Sequence, residues 1–296
     1  MRLAGVRDAR KIYEIYSSEL EALDPESYDW LEAFIRVRSK RGRVLVAEMG
    51  GEIVGFAMIY KHRDEAYISA IAVDRDFRGM GVGSSLLEEA QRILSEEGAR
   101  RLSLSVKSDN LAALDFYLRR GFAFRRLVLL MEAEPTELPE RAEEGYSVRL
   151  GRAGRVRVSR LRPTAWWWNL TESVDRLVYK KFRGRVGAVL VYRGSMLRGA
   201  AEYTPDGKLL VDYLAVSSYS LREALRALLV GLRRRAEEFG AEAVRIPVDA
   251  TKSGITAFLV ECGFGVSGSE YVLEKSLEQR AGGRRPLELG SSSSRS

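Results

Sequence analysis

The sequence predicts an α/β (α+β) fold of two tandem domains, each with a mixed central sheet flanked by helices. Segments with a helical spacing of apolar residues alternate with short apolar runs typical of strands, and this alternation indicates sheets covered by helices. The same order of elements occurs twice along the 296 residues, which are enough for two ordinary domains. A repeated order of this kind indicates a duplication.

The repeat is clearest over residues 99–122 and 241–264, which align without a gap. In this alignment Phe116 falls on Phe258 and Gly121 falls on Gly263. Prolines and clustered glutamates mark a linker between the copies, and glycine, arginine and serine dominate the C-terminus. We therefore predict a first domain over 1–134, a linker over 135–144, a second domain over 145–276 and a disordered tail over 277–296.

The first domain is predicted to begin with two helices, followed by three strands, a helix, a strand, a helix and a final strand. Apolar residues recur every three or four positions in the helical segments, whereas they alternate or run continuously in the strands. The Gly50-Gly51 pair between the first two strands indicates a hairpin turn. The predicted helices are Ala9–Leu23, Tyr28–Lys40, Val82–Glu97 and Asn110–Arg119, and the predicted strands are Val44–Glu48, Ile53–Tyr60, Ala66–Val73, Leu102–Val106 and Phe122–Met131.

The composition excludes several classes of protein. The apolar fraction of 46% and the charged fraction of 30% are those of a soluble globular chain, and no apolar run approaches the ~18 residues that span a bilayer. The first residues lack the apolar core of a signal peptide, so we expect a cytoplasmic protein without a membrane partner. The single cysteine, Cys262, and the single histidine, His62, argue against disulfides and metal centres, so we expect no metal. The scarcity of asparagine and glutamine favours a thermophilic source.

The net charge of +7 lies in the second half, where residues 149–162 hold six arginines and no acidic residue. A basic surface attracts nucleic acid, whereas pairing with carboxylates elsewhere in the chain would leave no such surface. A non-catalytic module, sensing acyl-CoA or associated with nucleic acid through the basic second half, is therefore the alternative to an enzyme.

A glycine-rich loop, Arg78-Gly79-Met80-Gly81-Val82-Gly83, follows the third predicted strand and leads directly into a helix. Alternating glycines expose backbone N–H groups, and the start of a helix adds further amides and a positive dipole end. Arg78 adds charge and Ser84 adds a hydroxyl, so the segment predicts a pyrophosphate site. A Walker loop would need a lysine after the last glycine, and a dinucleotide fingerprint would need a third glycine where Ser84 stands. A flexible hinge is the remaining alternative.

A second motif lies on the short helix that begins after Asn110. Asn110 is a helix-capping residue, and Tyr117 stands seven residues later, two turns along the same face. Gly121 then ends the helix. Asn110 and Tyr117 are therefore predicted to point at one ligand.

In this order, the glycine loop and the Asn110–Tyr117 helix resemble those of the GNAT superfamily of acetyl-CoA-dependent N-acyltransferases. The resemblance covers most of residues 1–134 and is greatest to the RimI-like acetyltransferases of ribosomal-protein N-termini. It implies acetyl-CoA as co-substrate and a primary amine as acceptor: a protein N-terminus, a lysine or a small amine. It further implies direct attack of the amine on the thioester, without a covalent enzyme intermediate. A ribosome or nucleic acid as partner, and the oligomeric state, stay open.

The resemblance also implies site residues. The backbone of the fourth strand of the family's sheet pairs with the pantetheine arm, and Tyr117 matches the family's general acid. The base is open, because Ser105 stands where RimI-like enzymes carry a glutamate on the fifth strand; Glu65, Tyr67 and His62 are the substitutes. The implied cofactor-binding residues are Ile71, Val73, Arg78, Gly79, Met80, Gly81, Val82, Gly83, Ser84 and Asn110.

The second copy departs from the first at these positions. Ser220–Leu225, opposite the glycine loop, contains no glycine, and Lys252 and Leu259 stand opposite Asn110 and Tyr117. We therefore predict one CoA site in the chain, with a second copy that keeps the fold. The cluster Trp166-Trp167-Trp168 in that copy indicates packing, or less commonly an acceptor cleft.

Overall fold

The computed structural model describes residues 1–20, 23, 25–154, 161–181 and 186–277. The predicted tail beyond Leu277 and part of the arginine-rich stretch 149–162 lie outside these residues. Within them, no helix is long and apolar enough to cross a membrane.

The first half contains the predicted elements in the predicted order. Its first helix is shorter than predicted and ends at Ser17, and its second ends at Val37, because Arg38 adopts a left-handed conformation with φ of 48°. The elements are β1 (Arg2–Leu3), α1 (Ala9–Ser17), α2 (Tyr28–Val37), β2 (Gly42–Met49), β3 (Glu52–His62), β4 (Glu65–Val73), α3 (Val82–Glu96), β5 (Arg101–Lys107), α4 (Leu111–Leu118) and β6 (Ala123–Ala133).

The second half repeats this order from its first long hairpin onward. Gly98 and Gly240 follow equivalent helices with φ of 87° and 64°, and Gly121 and Gly263 do so with φ of 80° and 89°. The same residue type in the same left-handed conformation at matched positions agrees with a duplication. The elements are β7 (Tyr146–Arg152), β8 (Arg162–Pro163), α5 (Trp168–Lys181), β9 (Gly187–Arg193), β10 (Met196–Asp206), β11 (Lys208–Val216), α6 (Leu221–Phe239), β12 (Val244–Asp249), α7 (Ser253–Glu261) and β13 (Gly265–Ser276).

The strands of both halves join one mixed sheet. Over the described residues its order is β1-β2-β3-β4-β5-β13-β6-β12-β11-β10-β9-β7, with β8 attached to β11. The last strand of each half therefore lies in the sheet of the other half: β13 pairs with β5, and β6 pairs with β12. The repeat in the sequence does not reveal this exchange of strands. The domain bounds 1–134 and 145–276 stay a prediction, and the two segments that they define share one sheet.

Helix α5 also crosses from the second half to the first. Its residues Leu170, Val174 and Val178 are buried in the same apolar cluster as α1, α2 and the face of β3. Gly42 on β2 permits this contact, because a Cβ there would lie 2.6 Å from a methyl group of Val174. Helix α3 packs on the opposite face of the first half's sheet. The two faces of this sheet are thus covered by different parts of the chain.

Candidate active site

The sheet opens between β4 and β5. These parallel strands pair from Glu65 and Arg101 as far as Ile68 and Leu104, and β4 continues to Val73 beyond the last pair. A β-bulge at Ser69, between the registers with β3 at Ile59 and Met58, bends β4 at this point. The result is a gap in the sheet, which we call the β4–β5 opening.

The predicted phosphate loop follows β4 and shapes one side of this opening. Gly79 and Gly81 have φ of 75° and 82°, a conformation that costs other residues free energy. Gly81 is the N-cap of α3 and has no side chain to occupy the amides of the first turn. Those amides are therefore available to an anion, as the sequence predicts.

A cavity of about 520 Å³ lies against this loop, and we call it the glycine-loop pocket. It brings together the predicted cofactor residues except Met80, whose side chain is exposed outside the lining. Its lining includes Ile71, Val73, Arg78, Gly79, Gly81, Val82, Gly83, Ser84, Asn110 and Tyr117.

Two charged residues of this pocket, Glu19 and Arg120, were missed by the sequence analysis. Arg78 forms an ion pair with Glu19, which also contacts Arg75 at 3.5 Å. Arg120 donates to the Ser84 hydroxyl at 2.5 Å and lies 3.7 Å above the Phe116 ring. Arg120 follows Tyr117 by three residues, one helical turn, and this spacing was a usable signal. No pattern in the sequence indicated the ion pair between Glu19 and Arg78, because it depends on how α1 packs.

Tyr117 is buried in the wall of the glycine-loop pocket. Its ring lies edge-on to Phe116 and Phe122, with centroid distances of 5.1 and 5.7 Å. Burial raises the pKa of its hydroxyl above the usual value, so the group keeps its proton at neutral pH. Asn110 caps α4 as predicted, accepting a hydrogen bond from the Ala113 amide at 3.0 Å.

The three residues considered as bases lie apart. Glu65 pairs with Arg101 at 2.9 Å at the start of β4, about 13 Å along the strand from Ser69. His62 precedes that strand, and partial burial and the charge of Arg63 lower its pKa. Of the three, only Tyr67 lines a second cavity, which lies on the face of the sheet opposite the glycine-loop pocket.

That second cavity, which we call the interdomain cavity, has a volume of about 230 Å³ and is lined by both halves of the chain. Strands β5, β13, β6 and β12 form its floor, and α5 lies over it. Ser69 and Ser105 line it at the β4–β5 opening, and each has a buried hydroxyl without a hydrogen-bond partner among the described residues. Because β4 side chains alternate between faces, this cavity and the glycine-loop pocket approach the opening from opposite sides.

The exchanged strand brings a carboxylate to this floor. Glu270 on β13 is 7% exposed and lines the interdomain cavity. On β13, Val272 pairs with Ser105 of β5, and Glu270 lies two residues before Val272. Glu270 is therefore close to Ser105, the position at which the family resemblance implies a glutamate. Sequence reasoning missed Glu270 because the strand exchange is a tertiary feature.

The tryptophan cluster packs against tyrosines of both halves. Trp166 packs edge-on against Tyr67 with a centroid distance of 5.2 Å, and Trp168 packs against Tyr213 at 5.2 Å. Trp167 and Trp168 also line the interdomain cavity.

The second half has a matching gap, but its own chain fills it. Strands β11 and β12 pair at Leu209 and Leu210, and further along β11, at Ala215 and Val216, β8 takes the place of β12 as its partner. The buried Thr164 donates its amide to Leu214 at 2.9 Å and accepts from the Asp249 amide at 3.0 Å. The backbone of residue 164 thus bridges the two strands.

Comparison with known proteins gives a consistent picture. The acetyltransferase (GNAT) family model matches residues 9–122. A putative [ribosomal protein bS18]-alanine N-acetyltransferase of Bacillus subtilis is 36% identical over 124 residues, which are 41% of this chain and 78% of that protein. An uncharacterized N-acetyltransferase of Methanocaldococcus jannaschii is 30% identical over 133 residues, which are 41% of this chain and 59% of that protein.

Two solved structures share the fold over nearly the whole chain. A tandem GNAT protein from the clavulanic acid biosynthesis pathway has a TM-score of 0.68 at 13% identity, covering 94% of this chain and 98% of that one. A putative acetyltransferase from Pyrococcus horikoshii has a TM-score of 0.62 at 15% identity, covering 94% of this chain and 89% of that one.

Within the described residues, there is no group of three or more histidine, cysteine, aspartate or glutamate side chains arranged to hold a metal ion.

Proposed function

Because the chain belongs to the acetyltransferase (GNAT) family, as a tandem member, we propose that it transfers an acetyl group from acetyl-CoA to a primary amine. One observation carries this proposal. The glycine-loop pocket and the interdomain cavity lie on opposite faces of the sheet and are lined by adjacent segments of β4 at the β4–β5 opening. A thioester and an amine bound on the two sides can therefore react directly through the sheet, without a covalent enzyme intermediate.

The glycine-loop pocket fits acetyl-CoA. The amides at the start of α3, with Arg120, provide positive potential for a pyrophosphate, and Arg78 would add to it on leaving its ion pair with Glu19. The backbone of Ile71 and Val73 provides strand-like hydrogen bonds for the pantetheine arm. Tyr117, which keeps its proton, donates it to the departing thiolate.

The acceptor amine must lose a proton before it attacks. Glu270 and Tyr67 lie in the interdomain cavity, on the acceptor side of the opening, and Glu270 is the carboxylate on the floor beside β5. We propose that Glu270 takes this proton, directly or through water, rather than Glu65. The buried hydroxyls of Ser69 and Ser105 are positioned to hydrogen-bond the amine at the opening.

The test of this function is acetyl transfer itself. Thiol release from acetyl-CoA and the mass of the acceptor are measured with a panel of small amines and alanine-terminated peptides. Tyr117→Phe is expected to lower kcat by about 10²-fold with little change in the Kd for CoA, since general acid catalysis contributes 10²–10⁴-fold. Tyr13→Phe, on α1, is the matched control. Normal turnover of Tyr117→Phe with every acceptor would refute the assignment of the acid.

The alternative, a nucleic-acid-associated module, requires a free basic surface. Arginines of α6 instead pair with carboxylates: Arg226 with Glu143, and Arg233 with Glu237 and Glu140. Arg222 and Arg235 likewise pair with Glu261 and Glu238. These pairs reduce the positive potential of the helix, and therefore the transferase is the function that the structure supports best.

A further inference from the structure

We propose that Glu19 is a counter-ion that CoA displaces from Arg78, so that this ion pair sets the affinity of the glycine-loop pocket for donors with a pyrophosphate. The inference rests on the acetyl transfer proposed above and names a residue that controls donor binding at the same site. Glu19 follows α1, which ends at Ser17, and belongs to neither of the two sequence motifs that predicted the site.

Glu19 brings a negative charge into a pocket that otherwise suits an anion. It is the one carboxylate among the described residues that line the glycine-loop pocket, where it lies with the guanidinium groups of Arg78 and Arg120. The amides at the start of α3 add positive potential. A carboxylate in this place repels an anionic ligand and takes one of its cationic partners, and both effects lower the affinity of the pocket for that ligand.

The chain holds Glu19 at the pocket. Arg75, in the turn before the glycine loop, donates a hydrogen bond to the backbone carbonyl of Ser18 at 2.9 Å. The same guanidinium lies 3.5 Å from the Glu19 carboxylate, which also forms the ion pair with Arg78. The Glu19 side chain is only 15% exposed. Its position is therefore fixed by the packing of the residues that follow α1, unlike that of a freely rotating surface side chain.

Arg78 contacts a second group that CoA would use. Its Nε donates to the Val73 carbonyl at 3.3 Å. The Asp74 amide donates to Val54 of β3 at 2.9 Å, and successive residues of a strand point their backbone groups to opposite sides. The Val73 carbonyl therefore faces the β4–β5 opening, where we propose that the pantetheine arm pairs with β4. An arm at the opening and a pyrophosphate at the loop would replace both contacts of Arg78.

The ion pair between Glu19 and Arg78 is weak enough for CoA to break. The Arg78 side chain is 49% exposed, and a pair with an exposed partner changes an equilibrium constant by at most about fivefold. A pyrophosphate offers the guanidinium charge-assisted hydrogen bonds in place of the carboxylate. CoA therefore gains Arg78 as a partner, but the cost of releasing Glu19 lowers its affinity. Pantetheine has no group that replaces the carboxylate.

The test is the affinity of Glu19→Gln for CoA, measured by calorimetry at low salt. The amide keeps the size of the side chain and removes its charge, so Arg78 is free to bind the pyrophosphate. We expect the Kd for CoA to fall by about three- to fivefold and the Kd for pantetheine to stay unchanged. Glu97→Gln is the matched control, because Glu97 forms an ion pair with Arg43 at 2.6 Å and does not line the pocket.

A double-mutant cycle tests whether the gain in affinity acts through Arg78. Arg78→Gln has no guanidinium to release, so adding Glu19→Gln to it should lower the Kd for CoA by less than about twofold. An equal gain with and without Arg78 would show that Glu19 only repels CoA directly, and would overturn its role as a counter-ion.

The same titrations separate this inference from the proposed function. A Kd for CoA that Glu19→Gln leaves unchanged or raises would overturn the inference, because Glu19 would then have no effect or would orient Arg78 for the ligand, and acetyl transfer would stand. A lower Kd for CoA in Glu19→Gln, with no amine acetylated by either protein, would overturn the proposed function and leave the counter-ion in place.

Discussion

The two halves of the chain present the same gap in the sheet and treat it differently. In the first half, β4 and β5 separate beside a loop with glycines at positions 79 and 81, and a pocket of about 520 Å³ remains. In the second half, β11 and β12 separate as early, but Thr164 bridges them, and α6 starts after a loop without glycine. A duplicated fold can therefore keep its sheet and lose a ligand site through a few residues.

The halves also depend on each other. The first half has the predicted cofactor site, but the interdomain cavity, where we propose that the acceptor binds, is completed by β13 and α5, which belong to the second half of the sequence. The second copy thus contributes to the site of the first through its strand, its helix and their carboxylates. This gives a structural reason for a second copy without a glycine loop.

The largest expected effect, on the affinity for CoA, comes from placing in the glycine loop a residue from the matching segment Ser220–Leu225 of the second copy. Gly81 aligns with Glu223, so Gly81→Glu introduces the residue that the second copy already carries. A carboxylate at the start of α3, in a residue that needs φ of 82°, repels a pyrophosphate and strains the loop. We expect CoA binding to fall by more than about 100-fold, measured by calorimetry.

The control for Gly81→Glu is Gly51→Glu in the β2–β3 turn. Its φ is 87° and a Cβ there meets open space, as at Gly81, so the backbone cost is matched. If both variants lost CoA affinity equally, strain rather than the anion site would explain the result.

A smaller but still large effect should follow from Leu273→Ala on the exchanged strand. Leu273 is 1% exposed and lies in the apolar cluster beneath α3, in the first half. Its truncation should lower the free energy of unfolding by about 2–4 kcal/mol, measured by chemical denaturation. Val266→Ala, an exposed position on the same strand, is the control.

Hydrogen exchange locates this effect. With the strands exchanged, Leu273→Ala should reduce amide protection in β4 and β5 more than in β10 and β11. Greater loss of protection in β10 and β11 would show that β13 belongs to the sheet of its own half.

Local features were predictable from the sequence, and tertiary ones were not. The alternation of apolar residues gave the strands, and the need for positive φ at Gly79 and Gly81 gave the loop, because both act within a few residues. The exchange of β6 and β13 depends on which of two similar antiparallel strands pairs with β5, and local pattern is the same for both. Glu270 was missed for this reason, since it reaches the interdomain cavity only on the exchanged strand β13.

The smallest expected effect comes from Thr164→Ala. This variant tests whether CoA is kept out of the second half by the chain that fills the gap between β11 and β12 or by the missing glycine loop before α6. Thr164→Ala removes a buried hydroxyl and a methyl group but keeps the backbone bridge, so it should cost about 1–2 kcal/mol of stability, with exposed Thr136→Ala as control. CoA should still bind at one molecule per chain, measured by calorimetry, because α6 has no glycine loop before it. A second bound CoA in Thr164→Ala would mean that the filled gap, rather than the missing loop, keeps CoA out of the second half.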